Sequence, residues 1–396
     1  MKVLFGDFKT HYKQYKTEID QAVTRVLESG HFILGNELET FEKDFSNAHG
    51  QGYTIGCASG TEAIYLALAA CDIGAGHEVI TVAHTAVPTI SAISMTGATP
   101  VFADIDPQTY VMDVNQIESL ITPKTKAIVP VHLYGQMVDM QPLLKLAAKH
   151  KLYVIEDVAQ ATGAHYKGAM AGTLGDFSAY SFYPSKNLGA FGDGGAVFTK
   201  NKEHFEKLLM LRNYGQSKRY HHDIIGINSR LDELQAAILQ CRLPYLKQWN
   251  ARRQQIAALY NKGFASLSET LKTPFAHPDN HHVFHLYVIQ VEDRNQLQNY
   301  LLEKEIQTLI HYPVPAHLQK AYSYLGYKPG SLPVCEQITK RILSLPMYPE
   351  LTDEQVNFVI ETVHNFFSQN EIKLHQIDSA NNAQVFGQTS NIVTAQ

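Results

Sequence analysis

Cysteine is scarce in this chain. Four residues in 396, Cys57, Cys71, Cys241 and Cys335, lie far apart and form no CxxC pair. A disulfide framework and a zinc ribbon are both poorly supported by that spacing. Long apolar runs are missing too. No stretch reaches the roughly 18 apolar residues that a membrane-spanning helix needs. The opening MKVLFGDFKTHYKQYK has no apolar core, which leaves a secretory signal peptide unsupported. Positive charge is not in excess: 33 Lys and Arg stand against 38 Asp and Glu, for a formal net charge of −5. That balance argues against a basic nucleic-acid surface. No internal repeat is visible. Together these absences read as a cytoplasmic protein with reduced thiols, binding neither nucleic acid nor membrane.

What is present is the composition of an ordinary globular protein, 45% hydrophobic and 18% charged. At about 100–200 residues per domain, the length predicts two domains. Residues 12–48 read as helical, punctuated by Gly30 and Gly35. From Thr54 to Gly195 the pattern repeats strand, loop and helix. Apolar, β-branched runs at Glu78–Val82, Pro100–Ala103, Ala127–Val131 and Tyr153–Ile155 have the length of buried strands, and helical stretches separate several of them. Ser178–Phe182 and Gly194–Phe198 read as two further strands. The alternation predicts an α/β fold on a mostly parallel sheet. After Arg230 comes a long helical stretch that Pro244 kinks or divides. Phe284–Val291 then reads as a strand, Asn295–Lys304 as a helix and Ile306–Ile310 as a strand. These features predict a large domain over 1–245, a smaller α/β domain over 246–367 and a polar, flexible tail over 368–396.

Three segments carry chemistry. The first, Cys57-Ala58-Ser59-Gly60-Thr61-Glu62, runs into an apolar helix. Ser59 and Glu62 have capping-box spacing, and a Gly-Thr turn at a helix start suits a phosphate. Read alone, it is more often an ordinary N-cap. The second ends an apolar strand at Asp157, where open α/β sheets bind ligands. A carboxylate there is either a helix cap or a partner for a pyridinium proton. The third is Ser181-Phe182-Tyr183-Pro184-Ser185-Lys186, a lysine just past a strand. A lysine that bonds a carbonyl carbon must be held partly desolvated beside an electron sink. In that order, the three match what pyridoxal phosphate (PLP) requires: a phosphate cradle, a carboxylate for the ring nitrogen and a lysine for the aldehyde.

The motifs GHFILGNELETFEKDF (30–45), CASGTEA (57–63), VHLYGQ (131–136), VIEDVAQATGAHYKG (154–168), GDFSAYSFYPSKNLGAFGDGGAV (175–197), INSRLDELQAAIL (227–239) and HYPVPAHLQ (311–319) resemble the nucleotide-sugar aminotransferases of the DegT/DnrJ/EryC1/StrS family. The resemblance covers about residues 3–365. It implies the PLP-dependent aspartate-aminotransferase-like (type I) fold, with a mostly parallel mixed sheet in the large domain. It also implies roles for particular residues. Lys186 bonds the cofactor and shuttles the proton, and Asp157 keeps the ring nitrogen protonated. Gln160 lies by the cofactor's O3′, while Gly60, Thr61 and Ser181 hold its phosphate. Asn228 reaches the phosphate from a neighbouring subunit, so the resemblance implies a homodimer with composite active sites. Tyr183, His311 and Tyr312 face the sugar nucleotide, and Lys218 and Arg230 meet it from the other subunit. One departure stands out. Many relatives carry an aromatic residue that stacks on the ring, where this chain has Ala86, within Ala83-His84-Thr85-Ala86-Val87-Pro88-Thr89. Either a smaller contact suffices there or His84 contributes.

The wording of VHLYGQ, SFYPSKNLGA and HYPVPAHLQ is most similar to enzymes that aminate C3 of a dTDP-3-keto-6-deoxyhexose, with L-glutamate as donor. The alternative is a 4-aminotransferase of a dTDP-, UDP- or GDP-4-keto-6-deoxyhexose. A PLP-dependent sugar dehydratase is disfavoured, since those relatives replace the lysine with histidine. A non-enzymatic regulator would need a broken site or a DNA-binding appendage, and neither is visible. Histidine pairs such as His281/His285 fall in a strand-like context, where the i,i+4 spacing forms no chelating pair, so no metal is expected. FGDGG (191–195) lacks the G-x-G-x-x-G pattern of a dinucleotide loop.

Overall fold

The structure, a computed structural model, describes residues 1–369. The expected tail lies outside them from residue 370 on.

Seven strands build the main sheet: β1 (Tyr53–Cys57), β2 (Glu78–Val82), β3 (Thr99–Ala103), β4 (Thr125–Ile128), β5 (Tyr153–Asp157), β6 (Phe177–Ser181) and β7 (Gly195–Thr199). Their spatial order is β1-β7-β6-β5-β4-β2-β3. From β6 through β5, β4 and β2 to β3 every pairing is parallel. The exception is β7, antiparallel to both β1 and β6. The mostly parallel sheet expected from the alternation is therefore present, with one reversed strand. All of β7 is buried, as is β5 beyond its first residue. Strands covered on both faces carry apolar side chains throughout, which is why these segments read as short apolar runs.

Helices cover the two faces. The helix Gly60–Ala70 is apolar almost all round and buries Ala63, Ile64, Leu66, Ala67, Leu68 and Ala70. It packs with Ile55, Phe177 and Val197 from the strands. On the opposite face Phe41 and Phe45, from the helix Asn36–Ala48, meet Tyr180 and Phe182 edge to face. The kink foreseen at Pro244 is a 3₁₀ turn, Leu243–Tyr245, between the helices Glu233–Arg242 and Leu246–Gly263.

A second, antiparallel sheet joins β8 (Leu271–Lys272), β9 (Tyr287–Val291) and β10 (Ile342–Leu345) in that order. Tyr260, Phe264, Leu297, Val356 and Val359 pack on it. The strand expected at Ile306–Ile310 forms no ladder. That stretch makes single bridges only, Val3 with Ile306 and Leu309 with Ser344. Its hydrogen bonds are split: Val3 N–H donates to Glu305 O at 3.0 Å and Gln307 N–H to Val3 O at 2.9 Å, while Leu309 and Ser344 exchange theirs at 3.3 and 2.8 Å.

Register sets the site. Gly195 lies opposite Cys57 on one side and Ser181 on the other, and Asp157 lies opposite Ala179. The carboxyl ends of β1, β5 and β6 thus finish at one edge, where such sheets bind their ligands.

Candidate active site

At that edge a cavity of about 300 Å³ is lined by Gly60, Thr61, Asp157, Gln160, Ser181, Tyr183 and Lys186, seven residues singled out from the sequence. Each arrives on a different piece of local structure. Ser59 caps the helix Gly60–Ala70: its hydroxyl accepts the Glu62 N–H at 3.2 Å and its carbonyl that of Ala63 at 2.9 Å. The N–H groups of Gly60 and Thr61 find no acceptor among the described residues and stand free at the positive end of the helix dipole. Close packing fixes this turn. A Cβ on Gly60 would lie 2.7 Å from the Ser181 Cβ, and one on Gly195 would lie 2.4 Å from the Ser59 carbonyl.

Asp157 is the last residue of β5 and is buried. The Thr89 hydroxyl donates to its Oδ2 at 2.8 Å and the Ala159 N–H to its Oδ1 at 3.1 Å. Burial pushes its carboxyl above the usual range, against those two donors and the Lys186 charge. Lys186 follows the turn after β6, its N–H donating to Tyr183 O at 2.8 Å. Its side chain lines the cavity, and loss of water draws its amine down to about 8, with Asp157 pulling the other way. A lysine drawn that low beside a carboxylate is a candidate reacting amine.

Gln160 is tied at both ends. Its Oε1 accepts the Tyr134 N–H at 2.9 Å, and its Nε2 donates to the Tyr312 hydroxyl at 3.0 Å. Burial raises that phenol to about 12. His311 is drawn down to about 4 by burial and the Lys186 charge. Tyr183 is 55% exposed at the mouth.

Ala86 does line the cavity, at the start of the helix Val87–Met95. His84 does not: it is buried against Tyr134, with its Nε2 2.9 Å from that hydroxyl. Of the two alternatives for the missing aromatic, the histidine is turned away and the small side chain faces the space. Asn228, Lys218 and Arg230 are not brought to this cavity within the chain. Asn228 and Lys218 are exposed, and Arg230 donates to Asn213 at 3.2 Å. The sequence reading missed Thr89, Tyr134 and Asp193.

The family model for the DegT/DnrJ/EryC1/StrS aminotransferases matches residues 13–364. The chain belongs to this family. Members share the sugar-nucleotide aminotransferase fold seen here. Among curated relatives, the dTDP-3-amino-3,6-dideoxy-alpha-D-galactopyranose transaminase of Aneurinibacillus thermoaerophilus is 48% identical over 91% of this chain and 99% of that protein. A pleiotropic regulatory protein of Geobacillus stearothermophilus is 45% identical over 93% and 99%. Among solved structures, DesV of S. venezuelae superposes with a TM-score of 0.90 at 45% identity, covering 92% of this chain and 98% of that one. NtdA of Bacillus subtilis, solved with bound cofactor PMP, gives 0.84 at 36%, covering 89% and 82%. This DegT/DnrJ/EryC1/StrS chain is thus an aminotransferase by family. No described helix is long and apolar enough to cross a membrane.

Proposed function

We propose that the protein is a PLP-dependent transaminase. It moves an amino group from L-glutamate to C3 of a dTDP-3-keto-6-deoxyhexose, giving 2-oxoglutarate and a dTDP-3-amino-3,6-dideoxyhexose. The observation that carries this reading is the convergence of Lys186, Asp157 and the open helix start at Gly60 on one cavity. The regiochemistry draws on relatives whose names place the amino group at C3.

The donor set fits pyridoxal phosphate. Free N–H groups at Gly60 and Thr61 and the Ser181 hydroxyl suit a phosphate. Asp157 suits a protonated ring nitrogen, and the second N–H of the Gln160 amide suits O3′. When bound, the cofactor supplies an aldehyde for the amine and a ring that takes up the negative charge left at carbon. The chain supplies the rest. Asp157, held in place by Thr89 and Ala159, would pair with the ring nitrogen. Lys186 Nζ, whose burial favours the neutral amine, takes the proton from the donor's α-carbon and later returns one to the sugar carbon. Tyr183 at the mouth, with His311 and Tyr312, orients the sugar. Asn228, Lys218 and Arg230 complete the site from a second copy, making the working unit a homodimer.

One experiment tests this. The purified protein with PLP should absorb in the visible, lose that band with L-glutamate and regain it with a dTDP-3-keto sugar. Lys186→Ala should abolish the cycle. Absence of any visible band with added PLP overturns the reading. Recovery by a 4-keto sugar alone overturns the regiochemistry.

A further inference from the structure

Lys186 and Tyr183 line a second cavity, larger, of about 490 Å³. Its far walls come from the first turn of the chain, with Asp7 and His11, and from the helices that end and begin at the Pro244 kink, with Arg242 and Arg253. Its charges do not balance internally. Asp7 is engaged as a helix cap, accepting the Thr10 N–H at 3.0 Å and the Thr10 hydroxyl at 2.7 Å. Glu350 is engaged by His11 Nδ1. Glu350 also acts through space on Arg242 and Arg253, which leaves two guanidinium charges facing one carboxylate. Each arginine is 5% exposed, and neither forms an ion pair among the described residues. Arg253 Nη1 donates to the carbonyls of Phe284, His285 and Met347 at 3.3, 3.1 and 2.8 Å. Arg242 makes no hydrogen bond among the described residues. Its guanidinium sits 5.3 Å from the Phe191 ring centre and 5.2 Å from that of Trp249, and its Nε is sealed without an acceptor.

A buried guanidinium with no acceptor is unfavourable until an anion reaches it. Aromatic faces offset part of that cost and accept none of the in-plane N–H protons. An anion that enters here shares the cavity with Lys186. A planar guanidinium pairs with a carboxylate through two parallel hydrogen bonds. We propose that this cavity seats a carboxylate of the amino donor against Arg242, with Arg253 as the second cation. Acidic amino acids, with two carboxylates, are the donors such a seat selects. This assignment rests on the transaminase reading.

Glutarate, a dicarboxylate without an amino group, tests it on the PLP-loaded enzyme by calorimetry. Arg242→Gln should weaken glutarate binding about tenfold or more, the range of a charge-assisted pair, and Arg242→Lys should weaken it less. In the same variant the KM for L-glutamate should rise while that for the keto-sugar nucleotide stays. Unchanged glutarate binding overturns the seat. So does a rise in the keto-sugar KM instead, or inorganic phosphate binding more tightly than glutarate, since the anion is then a phosphate. Dissociation of the Arg242→Gln dimer also overturns it, because the missing counter-charge then comes from a second copy. The wild-type visible band keeps the two readings apart: its absence removes the transaminase assignment, whereas its presence with unchanged glutarate binding removes only the seat.

Discussion

At the scale of single residues, Lys186 and Asp157 each alter the other's charge. Burial draws the lysine down to about 8 and pushes the carboxyl up, and their mutual attraction opposes both shifts. The usual lysine value is 10.5, so between about 8 and 10.5 the folded apo chain holds one proton fewer than the unfolded chain. Raising the pH through that window therefore stabilises the apo fold. The same shift predicts reactivity. Labelling of the apo protein with an amine-selective reagent, followed residue by residue in the mass spectrometer, should reach half its maximum near pH 8 at Lys186. Surface lysines should lag by about two pH units. A Lys186 that titrates with them refutes the desolvation argument. These two residues were legible in the sequence, since strand ends and the loops after them are read directly from apolar runs. Thr89 was not. Its hydroxyl meets Asp157 across 68 positions, and no periodicity reports such a contact. The Gln160–Tyr312 bond, across 152 positions, was hidden in the same way.

At the scale of elements, Glu156 ties β5 to the loop that follows it. Its buried carboxylate accepts the N–H groups of Gly172, Leu174 and Gly175 at 2.9, 2.8 and 2.7 Å, with His132 Nε2 at 2.9 Å. Burial pushes the carboxyl up, but these partners bring it below its usual value. Glu156→Gln turns an amide N–H₂ toward donors, and stability should fall by about 2–3 kcal/mol, read as a lower denaturant midpoint with an unchanged slope. A wild-type midpoint would mean that the loop from 172 to 175 holds itself. Strand positions were readable to within a residue or two at most edges, because buried parallel strands are apolar on both faces. Ile306–Ile310 was misread for the complementary reason. Only Ile306 of that run is fully buried, and the run's hydrogen bonds are divided between Val3 and Ser344, too few on either side for a ladder.

At the scale of the whole molecule, the proposed site draws on two chains. Asn228 and Lys218 are exposed and lie away from the Lys186 cavity of their own subunit. Subunit complementation measures this. Lys186→Ala and Asn228→Ala proteins should each be inactive. Unfolded and refolded together, they should recover about a quarter of wild-type activity, since random pairing leaves one native composite site in four. No recovery would place Asn228 in its own subunit's chemistry. The reversed strand has a separate consequence, felt during synthesis. β1 has β7 as its neighbour in the sheet, and Gly195 backs directly onto the Ser59–Gly60 turn. As the chain leaves the ribosome, its first strand therefore waits for its seventh. Domains fold as units as they emerge, at roughly 5–20 residues per second. For that interval of many seconds the phosphate turn has no floor, and the nascent chain has nothing with which to capture its cofactor.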